Sequence, residues 1–556
     1  RPLFTISDEF LYKHRGMDAL MYNVFSKMMI TLMIAFFAFG IVILWPVDAT
    51  ATNRNLPRND PKYVNGTAVL TMSDISTDRQ SRDYKRFAAH LISVIWNSIW
   101  CYCLFVRTYT IYTRYLRRQR KEADFANYTV LYENISTRLK EEDIKTIFEA
   151  HFPGEVLAVH RVSAAYQMHR AYLHRIELYD MKDAAEWDIE HDKKHRRPEM
   201  RDTDQCVPLQ CLCVRMPKVD TIEYANRKLT ESDAKLARRQ ERLKNTSAAF
   251  VTFKTRDSAA KASTATFTRK GVQWIPHQAP DFNDLRWHNF EYSHRSRNIR
   301  RILVLIFVFF LGIMFFIPIT FAQGLANLST LAKIPGFNWI QKTSDKHPAG
   351  TSIIEGILPS LVITIALQLV KVGMKKLVLF ERYHTRSAEM RSFTSKFYYI
   401  LVLNVFLASI AAGTFITLWN SIRDIVEDPL SIVRLLAQRL PTQVNFFINY
   451  MAVNSVITTL FPLMQFVRAT KRLCCLYACK PKTRSTRIWL KTANWLHYFE
   501  EYPYQLLYFS ITIAYSSMAP LIVPFALIFF ALTHFVGTYN NLYVFKKRVE
   551  SYGQDW

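Results

Sequence analysis

The residues best placed to do chemistry in this 556-residue sequence are polar groups set inside apolar runs. One run carries Asn449, Tyr450, Asn454, Ser455, Thr458 and Thr459, and Pro462 follows. Other runs hold Gln323 and Asn327, Gln368 and Lys371, and Asn404. Amides and hydroxyls in lipid-like surroundings are costly unless they face a watery path or a neighbouring helix. Two readings therefore stand together, ion-path lining and interhelical hydrogen bonding. Lys371, near the inner end of its run, either snorkels to lipid phosphates or faces a path where it would favour lipid entry. Glu355, Glu500 and Glu501 lie near run ends and read as solvated charges able to attract cations to a mouth. No acidic ring stands within the runs, which points to weak selectivity set by polar groups and pore width.

The residues for enzyme chemistry are not assembled. Walker, dinucleotide and HExxH patterns are absent, and only 14 glycines are available for phosphate-cradling loops. No cofactor is expected. His191 and His195 lie in a charged stretch and read as solvated. Cys206, Cys211 and Cys213 cluster, but no Cys or His follows at zinc spacing, so no metal site is expected. Cys101 and Cys103 sit in an apolar run. Cys474, Cys475 and Cys479 sit in a basic loop beside one, where reduced thiols and reversible palmitoylation are the two readings.

The elements that must position these groups are membrane helices. A bilayer core takes about 20 apolar helical residues to cross. Candidate spans are Tyr22–Pro46, Phe87–Ile111, Ile302–Ala326, Ser352–Met374, Lys396–Asn420 and Asn445–Val467. A shorter pair follows at Tyr504–Ser516 and Met518–Thr538, the latter interrupted by Pro520 and Pro524. Basic residues fix orientation. Arg114–Lys121, Arg295–Arg301, Lys375–Arg391, Arg468–Arg487 and Lys546–Arg548 all mark the cytosolic side, and alternation then puts both visible ends there. The net charge of +26 follows from these loops, which also attract anionic headgroups. Asn65 and Asn327 begin glycosylation sequons on the opposite side.

Between the second and third spans lies a large cytosolic segment. Tyr128–Ile135 alternates like a strand, and Glu141–Phe152 reads as a helix with Ile144, Ile147 and Phe148 on one face. Glu155–Val162 and Ala248–Phe253 read as strands, Asp257–Ala265 as a helix and Gln273–Ile275 as an edge. A charged, mostly helical insertion occupies about 166–244. The order is ferredoxin-like, shared with RNA-recognition modules. The RNA platform is stripped, however: Leu131 and Ala248 stand where bases would stack on aromatics, so no nucleic-acid partner is expected. The fold class is thus an all-α polytopic membrane protein of about eight spans with a cytosolic α+β ferredoxin-like domain. Its expected parts are a cytosolic segment 1–21, two spans over 22–112, the cytosolic domain 113–299, a pore-forming membrane domain 300–540 and a cytosolic segment 541–556.

Dispersed motifs then sharpen the reading. Ala279-Pro280-Asp281-Phe282-Asn283-Asp284-Leu285-Arg286-Trp287-His288-Asn289-Phe290 precedes the third span. Phe316–Leu328, Asn404–Ser409, Phe446–Tyr450 and Ala519–Phe525 follow in order, and Tyr128–Leu131 marks the start of the cytosolic domain. In these stretches the chain resembles the OSCA family of hyperosmolality-gated, calcium-permeable, mechanosensitive channels. That resemblance implies an eleven-span fold, of which this chain would lack the first span and the last two. It also implies a homodimer with one ion path per subunit, lined by the third to seventh visible spans, permeant cations including calcium, and multi-pass residence in the plasma membrane. Pore-lining candidates under it are Gln323, Gln368, Asn404, Asn449, Tyr450, Asn454, Ser455 and Thr458, with Lys371 as a lipid contact. Lipid scrambling through the same groove, as in the related anoctamins, is the alternative. Where the family places glycines in the sixth span, this chain has Ser455, Thr458 and Phe461, and Pro462 takes the following acidic position. A proline cannot donate to the carbonyl four residues back, so the expectation is a fixed kink near Thr458–Pro462.

Overall fold

The computed structural model describes residues 6–55, 57, 69–76, 82–121, 124–164, 166–191, 197–201, 218–241, 243–268, 273–324, 348–408, 440–479, 482–493, 495, 497–547 and 551. Helix α1 (Asp8–Arg15) starts on Ser7, whose side chain accepts from the Phe10 N–H, and ends at Gly16 with φ 90°. Acidic residues in its first turn and basic ones in its last suit the helix dipole. Helix α2 (Met17–Phe39) passes through a π-helical turn, Gly40–Leu44, into α3 (Trp45–Ala49). Helix α4 spans Phe87–Gln119. Beyond the cytosolic segment come α9 (His294–Gly324), α10 (Pro348–Phe380) and α11 (Arg386–Leu401), the last extended by a π-helical turn, Val402–Leu407. Then follow α12 (Val444–Met464), α13 (Phe466–Cys474), α14 (Arg484–Lys491), α15 (Tyr498–Ser516) and α16 (Ile522–Tyr539).

Among the described residues, five helices are long and apolar enough to cross a membrane: Met17–Ala49, Tyr84–Gln119, His294–Phe316, Val444–Tyr477 and Ile522–Val544. These make the chain a multi-pass membrane protein. The other expected spans fall on α10, α11 and α15; the part of Lys396–Asn420 beyond Ala408 lies outside the described residues. The expectation for the last span needs correction. Pro520 does not interrupt a helix but sits in the turn before it, and Pro524 lies in the first turn of α16. First-turn N–H groups have no intrahelical partner, so proline costs nothing there. One apolar core, including Phe36, Leu367, Phe397, Phe447, Tyr508 and Phe529, ties these helices together. Gly537 lets α16 approach α2 closely, since a Cβ there would strike the Tyr22 ring.

The cytosolic segment builds a four-stranded antiparallel sheet from β1 (Thr129–Glu133), β2 (Val156–Ser163), β5 (Asn245–Phe253) and β6 (Ile275–Gln278), in the order β2-β5-β1-β6. Helices α5 (Glu141–His151) and α8 (Arg256–Thr264) accompany it. The insertion holds α6 (Tyr166–His191), a ribbon of β3 (Glu199–Arg201) with β4 (Lys218–Asp220), and α7 (Thr221–Glu241). Strand alternation decides what each face does. Val130, Tyr132, Ala249, Val251 and Phe253 pack with Ile144 and Phe148 of α5. On the opposite face, Leu131, Val162 and Ala248 pack with Leu285 and Phe290. The two positions where an RNA-binding sheet would carry stacking aromatics are therefore covered by the 279–290 strap. His191 is exposed and stacks on Trp187, whereas His195, Cys206, Cys211, Cys213 and the sequons at Asn65 and Asn327 lie outside the described residues.

Candidate functional site

Two buried polar assemblies stand out, a seam among membrane helices and a clasp beneath them. In the seam, α12 contributes most of the hydroxyls. Ser455 Oγ donates to the Met451 carbonyl at 2.5 Å and Thr458 Oγ1 to the Asn454 carbonyl at 2.6 Å. Thr459 does the same to Ser455. These i−4 bonds satisfy the hydroxyls within their own helix. Asn454 reaches across: its Oδ1 accepts from Thr364 Oγ1 of α10 at 2.8 Å, while its Nδ2 donates to the Tyr450 carbonyl at 3.0 Å. Tyr450 is buried, its ring 6.0 Å from that of Tyr508 on α15. Asn449 is exposed. Asn404 is buried on the π-helical turn after α11; its Nδ2 donates to the Ile400 carbonyl, and its Oδ1 has no partner among the described residues. Gln368 Nε2 donates to Tyr504 Oη at 3.2 Å. Gln323 lies in the last turn of α9 and Glu355 in the first turns of α10; their side chains are outside the described ones.

The charges at the seam's end correct one expectation and give another residue a partner. Glu500 is not a solvated surface charge. Its carboxylate lies 2.8 Å from Lys371 Nζ and 2.6 Å from Lys375 Nζ, and it is only 12% exposed. Lys371 is accordingly paired with protein, an arrangement that neither snorkelling nor path-facing anticipated. Its ammonium also sits 5.8 Å from the Tyr504 ring centre. In the sixth-span helix the proline lies inside the helix. Helix α12 runs on through Pro462 to Met464, and the interruption falls at Gln465, which is left-handed with φ 47° and ψ 36° before α13 begins.

The clasp joins the cytosolic sheet to the helices. Glu133, on the strap-facing side of β1, accepts from Arg297 Nη2 in α9 and from His384 Nδ1 after α10, both at 2.5 Å. Phe290 stacks on the His384 ring at 4.0 Å. Burial opposes ionisation of Glu133, but the His384 hydrogen bond and the neighbouring Arg297 charge outweigh it and hold the carboxyl well below the usual range. Burial lowers His384, with Glu133 pulling the other way. A carboxylate can only accept, so Nδ1 carries the proton in that contact, and Arg297 Nη1 lies 3.2 Å from the same nitrogen. Around this centre the strap grips the turn before α11. Asp284 accepts from Ser387 N at 2.8 Å and Ser387 Oγ at 2.5 Å. Arg286 forks onto Glu389 at 3.1 and 3.2 Å. Its backbone N–H donates to the His384 carbonyl at 2.7 Å, and Asn289 Nδ2 donates to the Tyr383 carbonyl at 2.6 Å.

Sequence reasoning singled out the strap's motif but none of the partners Glu133, Arg297, His384 or Glu389. It also missed Thr364, Tyr504 and Tyr508. One signal was legible: an acidic residue at position 133 alternates with Leu131 onto an otherwise apolar sheet face, and so demands a buried counter-charge.

The comparisons with known proteins agree along the chain. Residues 300–556 match the family described as "Calcium-dependent channel, 7TM region, putative phosphate". Residues 127–289 match "Cytosolic domain of 10TM putative phosphate transporter", and 1–108 match "Late exocytosis, associated with Golgi transport". Among curated proteins, hyperosmolality-gated Ca2+ permeable channel 1.8 of Arabidopsis thaliana is 25% identical over 99% of this chain and 67% of its own length. Channel 3.1 of the same plant is 26% identical over 100% of this chain and 76% of its own. CSC1-like protein ERD4 of Brassica juncea is 25% identical with the same two coverages, 100% and 76%. With three regional matches in order along the chain and relatives aligned over nearly all of it, the chain belongs to the family of the hyperosmolality-gated, calcium-permeable channels.

Proposed function

We propose that this chain forms a calcium-permeable, non-selective cation channel opened by osmotic stress through membrane tension, and that it has no enzymatic activity. The observation that carries this reading is the seam: Gln368, Asn454, Thr364 and the tyrosines of α12 and α15 place a polar strip among membrane helices, where such groups are expensive. The relatives' names supply calcium and osmotic gating. The ion path runs among the third to seventh visible spans, in a homodimer at the plasma membrane that also contacts lipid. About eight spans cross the bilayer, and the segment 113–299 hangs below as a ferredoxin-like domain, a reading supported by its strand order. The other parts divide as the sequence suggests, with the pore-forming unit over 300–540. Lipid scrambling is the less favoured use of the groove, because Lys371, the cation best suited to a headgroup, is already paired with Glu500. Patch recording of the purified chain in pure-lipid liposomes tests the proposal. Stretch should evoke cation currents, calcium included, without added protein. Silence under stretch, or headgroup transfer without current, would overturn it.

A further inference from the structure

A cavity of about 470 Å³ lies where the cytosolic sheet meets the inner ends of the helices. Arg120 just past α4, Arg297 and Arg301 in the first turns of α9, and Arg391 in α11 all line it. Three carboxylates share the lining, but each already has donors: Glu133 takes Arg297 and His384, Asp284 takes Ser387, and Asp281 takes the Asn283 N–H. Among the described residues, Arg120, Arg301 and Arg391 pair with none of them. The Arg301 guanidinium lies 4.4 Å from the Tyr383 ring centre, and its Nε is buried without a partner. His384 lines the cavity as well; it is 7% exposed, commits Nδ1 to Glu133 and has no partner at Nε2.

We propose that this cavity binds a phosphate monoester carried on a small polar ring, an inositol phosphate either free or as an inner-leaflet headgroup. Guanidinium groups match phosphate oxygens two at a time. The cavity lies within the roughly 300–1,000 Å³ typical of small-ligand sites. Its arginines come from the cytosolic ends of membrane helices, the level at which phosphorylated headgroups lie. The histidine selects among anions. A neutral Nε2 repels a fully ionised group but shares a proton with a phosphomonoester, whose second pKa is about 6. Sulfate and carboxylates hold no proton at neutral pH and lose that contact.

The test uses the full chain in nanodiscs. One arm adds inositol hexakisphosphate to discs without inositol lipid; the other compares discs with and without phosphatidylinositol 4,5-bisphosphate. Saturable binding in the first arm identifies a free ligand, and a rise in thermal stability confined to the second identifies a headgroup. In the arm that responds, the double variant Arg301→Gln/Arg391→Gln should weaken binding at least about thirtyfold, as expected for losing two charge-assisted contacts. Should that variant fold poorly, Arg120→Gln alone, at an exposed position, should still cost about threefold or more. Response in neither arm, undiminished binding in the variants, or equal competition by sulfate would overturn the proposal.

Discussion

The seam and the clasp are both buried and polar, yet they are wired on opposite plans. In the seam, Ser455, Thr458 and Thr459 spend their hydroxyls on carbonyls of their own helix. Of the expected set, Asn454, Gln368 and Lys371 bond to another helix among the described residues. In the clasp nearly every bond joins residues far apart in the chain, from Glu133 to Arg297 and His384 and from Asp284 to Ser387. Bonds within one helix survive when that helix shifts against its neighbours. Bonds between elements do not. The hydroxyl ladder of α12 therefore opposes a shift of that helix little, and the polar cost of rearranging the seam falls on Asn454, Gln368 and the Glu500 ion pairs, while the clasp makes the cytosolic domain move with α9 and α11 or let go entirely.

The sharpest way to break that contrast is at the buried charge. Arg297→Met leaves Glu133 inside with only a neutral histidine, which should cost about 3–5 kcal/mol of docking. Adding Glu133→Leu should restore most of it, because no charge then remains unpaired. Hydrogen exchange at β1 and at 384–390 in the two variants checks this. Equal protection in Arg297→Met and the parent would show that the clasp does not hold the domain. A smaller loss is expected from Asp284→Ala. Its carboxylate serves the first-turn N–H of Ser387, and caps of this kind are worth about 1–2 kcal/mol. Faster exchange should be confined to the first turn of α11.

Acidification should loosen the same docking through the histidines, whose buried forms resist protons, and this runs against Asp284 and Glu389, whose carboxyls burial raises so that they take up protons more readily when docked. Burial lowers His384, and burial with the neighbouring His169 and arginines lowers His288 to about 4. An undocked histidine titrates near 6.5. Below that value the undocked state binds more protons than the docked one, so stability falls with falling pH. For His288 the loss runs from about 6.5 down to about 4. The Glu133 carboxyl acts in the same direction at lower pH, since its contribution is complete above the ordinary carboxylate range and disappears only as pH falls through its depressed value. Exchange protection of β1 that rises on acidification to pH 5 would contradict this.

The sequence made the helices legible because apolar runs of bilayer length leave the backbone few alternatives. Strand alternation likewise exposed the sheet, down to Leu131 and Ala248 on the face away from α5. The clasp was not legible. Glu133 alone carried a signal, as an acid on an apolar sheet face, but Arg297 and His384 lie far from it in sequence, and each of these two alone is an ordinary polar residue near a membrane. Glu500 was misread for the same reason: its partners lie on α10, more than a hundred positions away in the chain. Local pattern shows which side chains need a partner, whereas only the packed fold supplies it.

The finest distinction concerns where α12 gives way. Pro462 has no N–H for the Thr458 carbonyl, and the Thr458 hydroxyl is turned back to Asn454, so the last turns of α12 are held by fewer bonds than those above. The backbone nevertheless remains helical to Met464, and the helix breaks at Gln465. A left-handed glutamine costs about 1 kcal/mol or more relative to a right-handed one, and a β-branched residue tolerates that conformation worse. Gln465→Val should therefore oppose the break and favour one continuous helix through α13. Pro462→Ala restores a hydrogen bond but leaves the break in place. If the joint at 465 transmits tension between α12 and the basic helix beyond it, Gln465→Val shifts the tension threshold more than Pro462→Ala. The reverse order would assign the elbow to the proline, and two unchanged thresholds would remove this segment from gating altogether.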